Sequence, residues 1–118
     1  MTMKVFHLDW AKARALGDDR ALFFELTMMG NPAYVNDALK AGLYTEVAEV
    51  DTDSKERAYY LTNSIENYWA ENDGVTPKTE KNRSTSVGDL MGPEDGSFHI
   101  VASFGFKKVP FPTDPIAA

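Results

Sequence analysis

Apolar and polar positions alternate with a period of two at the start of the chain. Met3, Val5 and His7 fall on one side of residues 2–8 and Lys4, Phe6 and Leu8 on the other, which predicts a β-strand. The period then changes. Trp10, Ala11, Ala13, Ala15 and Leu16 favour a short helix over residues 9–16 that Gly17 ends. Residues 21–29 hold a near-continuous apolar run, Leu22, Phe23, Phe24 and Leu26, without a clean period, so they belong to the core as either strand or helix. Asn31 is suited to accept the orphan amide hydrogens of a helix start and Pro32 has no amide to lose. A helix is therefore expected over 32–41, with Val35, Ala38 and Leu39 on one face and Gly42 as its stop. Residues 43–50 alternate again, yet neither face is cleanly polar, as in a strand partly covered on both sides.

Asp53-Ser54-Lys55-Glu56 has the form of a capping box opening a helix over 53–72, whose apolar stripe is Ala58, Leu61, Ile65, Tyr68 and Trp69. Residues 75–82 are polar, contain Pro77, and are expected to form an exposed, mobile loop. Residues 83–91 read as a strand interrupted at Gly88-Asp89, residues 92–96 as a turn, and residues 98–107 as a strand of period two, together a C-terminal β-hairpin. In that last strand Phe98, Phe104 and Phe106 share a face, placed against Leu61, Ile65 and Trp69 to make a core. Residues 109–118 hold three of the six prolines and form an extended tail. The expected architecture is a single α+β domain over residues 1–108. A small antiparallel sheet, including the C-terminal hairpin, packs on one main helix, with shorter N-terminal helices beside it.

Composition narrows the function. With 118 residues and 43% hydrophobic content, the chain is too short for a second domain and too apolar for a disordered polyanion. The absence of cysteine removes disulfides, thiolate zinc sites, iron–sulfur clusters and cysteine nucleophiles together. No apolar stretch approaches the roughly 18 residues that span a bilayer, and the N-terminus lacks a signal-like apolar run, so neither a membrane nor export is expected. Twelve basic against 18 acidic residues give a net charge of −6, which disfavours unassisted binding to nucleic acid. The densest basic run is Lys78, Lys81 and Arg83, with Glu80 among them.

Candidate chemistry concentrates in two places. The string Arg83-Ser84-Thr85-Ser86-Val87-Gly88-Asp89-Leu90 combines three consecutive hydroxyls, a glycine and an acid, the makings of an anion-binding nest or a hydroxyl nucleophile. The structural alternative is stronger, because Asp89 suits turn amides and Gly88 suits a bulge or a close backbone approach. His7 and His99 meet if their strands are neighbours, and a metal there needs Asp9 or Asp89 as a third ligand. A Ser84 or Ser86, His99 and Asp89 assembly has no G-x-S-x-G elbow to support it. The second place is the acidic cluster Glu46, Glu49, Asp51, Asp53 and Glu56. It lacks the glycine and glutamate of a calcium loop, so it reads either as local helix-end electrostatics or as an acidic face for a basic partner. Aromatic residues without interleaved Lys or Arg belong in the core before a base-stacking platform. With no phosphate loop, dinucleotide fingerprint or paired zinc ligands, no cofactor and no metal is expected.

The string from Arg83 to Leu90, followed by Phe98-His99-Ile100-Val101-Ala102-Ser103-Phe104-Gly105-Phe106, resembles the C-terminal part of YodL-like domains. It is also similar to small phage and plasmid proteins in which an S-x-S-V-G/S-D motif precedes a strand ending in Gly-Phe, with Leu61 to Ile65 and Trp69 resembling the helix upstream. The resemblance implies a mobile-genetic-element origin and the cytoplasm of a bacterial host, and it carries no activity. The expected function is thus a small acidic, non-enzymatic accessory protein that binds a host protein in host modulation or counter-defence, through Glu46, Glu49 and Asp51. The alternative is a nucleic-acid or nucleotide-binding module using Arg83, Ser84, Ser86, Gly88 and Asp89.

Overall fold

A six-stranded antiparallel sheet carries helices on both of its faces. The computed structural model describes residues 2–15, 20–63, 69, 72–79, 83–94 and 97–109. In chain order these form β1 (Met3–Leu8), α1 (Trp10–Ala15), α2 (Arg20–Phe24) running on as a π-helical segment (Glu25–Met29), a 3-10 turn (Pro32–Tyr34) leading into α3 (Val35–Lys40), and β2 (Tyr44–Val50). There follow α4 (Lys55–Thr62), β3 (Val75–Pro77), β4 (Leu90–Glu94), β5 (Ser97–Val101) and β6 (Phe106–Lys108). The strand order is β3-β2-β1-β4-β5-β6, so β1 lies at the centre, between β2 and β4.

The period of two along the central strands sorts their side chains into two cores. Phe6, Leu8, Leu90 and Ile100 pack with Ala13, Leu22, Leu26, Val35 and Ala38 from α1 to α3. Met3, Val5, Met91 and Val101 pack with Ala58 of α4 and with Trp69. This double coverage explains why residues 44–50 have no cleanly polar face. A bulge where Val5 and Phe6 of β1 oppose Ala48 and Glu46 puts Lys4, Glu46 and Glu49 on the same face.

Local signals act as the sequence implies at several ends. Asn31 caps its helix by accepting from the Ala33 amide at 3.0 Å, and Gly42, at φ +71°, closes α3 in the left-handed region. The run at 21–29 is helical, with α and π hydrogen bonding in succession.

Other boundaries are corrected. The cap of α4 is Ser54, whose hydroxyl accepts from the Arg57 amide at 3.2 Å, one residue after the expected Asp53. The helix ends at Thr62, since Asn63 has φ −122° and ψ 62°, and Ile65 and Tyr68 of the expected stripe lie outside the described residues. Asn63 leaves the helix because its side chain turns to donate to the Thr85 carbonyl and the Tyr59 hydroxyl. Residues 75–77, expected in a loop, form edge strand β3 against β2. Pro77 is tolerated there because an edge residue need not donate to the ladder. Residues 83–89 are irregular and the strand begins at Leu90, running through the expected turn to Glu94, while residues 95 and 96 are outside the description.

The expected last strand, 98–107, is two strands joined by a turn at 102–105, closed by the Ala102 amide donating to the Gly105 carbonyl at 2.9 Å. The three phenylalanines consequently part company. Phe98 meets Phe6 in the first core, Phe106 meets Tyr59 in the second, and Phe104 on the turn is 94% exposed. Val109, the last described residue, is buried and bonds its amide to the Phe98 carbonyl. The rest of the expected tail, 110–118, is outside the described residues.

Candidate functional site

Asp89 ends the irregular 83–89 segment just before β4, and its side chain is fully buried. Its carboxylate accepts four hydrogen bonds. Oδ1 takes the Leu8 amide at 2.9 Å and Arg83 Nη2 at 2.7 Å, while Oδ2 takes Arg83 Nη1 at 2.6 Å and the Ser86 amide at 2.8 Å. Four bonds match the acceptor capacity of a carboxylate, so its burial leaves no acceptor site unpartnered. The two bonds from Arg83 form the bidentate pair for which a planar guanidinium is suited and an ammonium is not.

Arg83 is equally committed. Nη2 also donates to the Leu8 carbonyl at 2.8 Å and Nη1 to the Ser84 carbonyl at 3.1 Å, and the guanidinium lies 4.0 Å from the centre of the Trp10 ring. Its own carbonyl accepts from the Trp69 indole at 2.8 Å. Leu8 therefore gives its amide to Asp89 and its carbonyl to Arg83, which ties the 83–89 segment to the end of β1.

Gly88 has φ +98°, and a Cβ built on it would stand 2.8 Å from the Leu26 carbonyl oxygen. Its carbonyl accepts from the Tyr44 hydroxyl at 2.7 Å. Burial, with the charge of Asp89, pushes the Tyr44 hydroxyl pKa up against the opposing effect of Arg83, so the phenol stays a donor.

A second polar chain runs beside the clamp. Thr62 Oγ1 donates to the Ala58 carbonyl at 2.8 Å, and Thr85 Oγ1 donates to Thr62 Oγ1 at 2.8 Å. With both hydroxyl protons assigned, the 2.9 Å contact from His7 Nε2 to Thr85 Oγ1 requires the proton on Nε2. His7 is buried, and burial lowers its pKa to about 4 despite the attraction of Asp89, with Arg83 acting in the lowering direction. At neutral pH it is an uncharged donor standing 3.9 Å from Asp89 Oδ2, beyond hydrogen-bond reach.

These bonds place each residue singled out by the sequence. Arg83, Ser84, Ser86, Gly88 and Asp89 do converge, but the anion held by the Ser86 amide and Arg83 is the chain's own Asp89. The histidine beside Asp89 is His7. His99 lies on β5, registered with Met91 and Lys108, and β4 separates its strand from β1, so the expected meeting of the two histidines does not occur. Among the described residues no group of three or more His, Asp or Glu is placed to hold a metal ion. Glu46 and Glu49 lie on β2 beside lysines, at 3.9 Å from Lys4 and 3.7 Å from Lys78, and Asp51 is exposed after the strand. Lys78, the expected start of a basic run, thus faces the acidic cluster.

Trp10, stacked on Arg83, lines two clefts. One, of about 340 Å³, includes His7, Asp9, Thr45, Thr79 and Arg83. The other, of about 400 Å³, is a mainly apolar groove between Phe23, Thr27 and Met28 on one side and Ser86 and Val87 of the clamp segment on the other, with Arg14 at its edge. Arg14 lies 5.1 Å over the Phe23 ring. Met28, in the lining, is 60% exposed, and Phe24 and Met29 of the same helical run are 51% and 47% exposed.

The expectation that residues 21–29 belong to the core holds for Leu22 and Leu26 and fails for Phe24, Met28 and Met29, and the groove was missed for that reason. The signal present was the four-residue spacing of Phe24 and Met28 within an apolar run. Compared with known proteins, the chain matches no family model, no curated protein and no solved structure. No helix among the described residues is long and apolar enough to cross a membrane.

Proposed function

We propose that this chain is a small non-enzymatic accessory protein that works by binding another protein, in the bacterial-host setting and mobile-element context its sequence resemblance implies. The observation that carries this reading is an apolar groove lined by exposed Met28, on a helical run that also exposes Phe24 and Met29. Exposed apolar groupings of this kind mark interaction surfaces, and methionine adapts to a partner's shape. The groove replaces the expected acidic strip as the proposed contact surface because the lysines beside Glu46 and Glu49 offset part of that strip's charge. The nucleic-acid alternative loses its main cation, because Arg83 is spent on Asp89.

A photo-crosslinking amino acid placed at Phe24, and separately at Glu49, in cells of a bacterial host tests the proposal. The expected result is a discrete adduct with one identifiable protein from position 24, lost in Met28→Asp and reproduced with the purified pair. An adduct from position 49 alone restores the acidic strip as the contact surface. Adducts from neither position, or adducts with nucleic acid, overturn the reading.

A further inference from the structure

The net charge of −6 selects for a cationic partner, but the groove does not share that sign. Among the described residues Arg14 is the one charged side chain lining it. No ion-pair partner holds Arg14 among the described residues; its guanidinium rests over the Phe23 ring instead. The acid of the neighbouring helical segment, Glu25, is turned to the Asn31 side-chain amide at 3.1 Å. The Thr27 hydroxyl donates to the Phe23 carbonyl at 2.7 Å and the Ser86 amide donates to Asp89, so two of the groove's own donors are already used. What remains is an apolar trough with a cation held over its wall, where an approaching apolar segment displaces water and strengthens any charge pair made there.

We propose that the groove takes an amphipathic protein segment whose apolar side chains seat between Phe23, Met28 and Val87 and whose carboxylate pairs with Arg14. This partner is opposite in charge to the one the chain's net charge selects. The inference rests on the protein-binding function proposed above and specifies the partner's chemistry. The groove's volume is about 400 Å³, within the general range of concave binding sites.

Two fluorescein-labelled helical peptides test it, both with the same leucine face, one flanked by glutamates and the other by lysines. Fluorescence polarisation at low salt is expected to show the glutamate peptide binding about two- to fivefold more tightly, the range of a partly exposed ion pair. That preference vanishes in Arg14→Ala and reverses in Arg14→Glu, while Met28→Lys weakens both peptides. Arg14 and Met28 are exposed, and circular dichroism confirms that the variants fold. If the lysine peptide binds more tightly and Arg14→Glu leaves it unchanged while Met28→Lys still weakens it, the acidic partner is overturned and the groove survives. If Met28→Lys changes nothing, or neither peptide binds at about 1 mM, a millimolar limit that corresponds to little usable affinity, the groove falls as well.

Discussion

The chain has two concentrations of charge, and they behave in opposite ways. In the Arg83–Asp89 clamp the carboxylate is fully buried, bidentate with its arginine and bonded to two backbone amides. In the Glu46 and Glu49 strip the carboxylates are partly exposed and stand 3.7–3.9 Å from single lysines. Water screens the strip and lets each side chain choose other conformations, so its pairs contribute little. Asp89 has no exposed surface, so removing Arg83 would leave a desolvated charge behind, whereas Arg83 itself keeps 26% of its side chain exposed. The net charge therefore says nothing about where electrostatics holds this fold together.

The comparison is broken most directly at Asp89. Asp89→Asn is expected to lower stability by about 2–4 kcal/mol, measured by urea unfolding at pH 7, because the clamp loses its charged acceptor and the partly exposed Arg83 loses its counter-ion. A loss below about 1 kcal/mol would put the clamp in the same class as the surface strip.

His7 supplies the next effect, through pH. Its folded pKa is about 4 against 6.5 in the open chain, so the folded state binds fewer protons. Stability is fully present above pH 6.5 and falls as pH drops toward 4, by up to about 3 kcal/mol from this group. His7→Gln keeps a donor for Thr85 and is expected to flatten the stability curve between pH 6.5 and 4. An unchanged slope in that variant would assign the acid sensitivity to other groups.

Gly88→Ala is expected to cost about 1–3 kcal/mol, through positive φ and the encounter with the Leu26 carbonyl. Thermal unfolding reads this out, and an unchanged midpoint would mean that the 86–88 segment is free to shift away from Leu26.

The smallest change is expected at the strip. Glu46→Gln and Glu49→Gln should each move stability by about 0.5 kcal/mol or less, and less still in high salt. A double-mutant cycle of Glu46 with Lys4 checks it, a coupling above about 1 kcal/mol being the contrary result.

Much of this arrangement was legible. The acceptor role of Asp89 and the close backbone approach at Gly88 followed from turn chemistry, as did the cap at Asn31 and the stop at Gly42. The alternation of Met3 to Leu8 sorted the side chains of β1 between the two cores, although it did not show that both faces would be covered. The break in the last strand was not legible. Phe98 to Phe106 keep a strict period of two in sequence, and only the turn closed between Ala102 and Gly105 separates them. Nor was the groove, whose walls come from α1, from 23–28 and from 86–87, segments brought together by Arg14 on Phe23, Trp10 on Arg83 and the approach of Gly88 to Leu26.

The sequence by itself determined the class of fold and several local helix ends and turns, because apolar periodicity, caps and turn residues act within a few positions of one another. Only the tertiary structure decided which charge is structural and which is surface. That depends on desolvation, and whether Asp89 sits in water or against Leu8, Arg83 and Ser86 is settled by a strand more than 80 residues earlier in the chain.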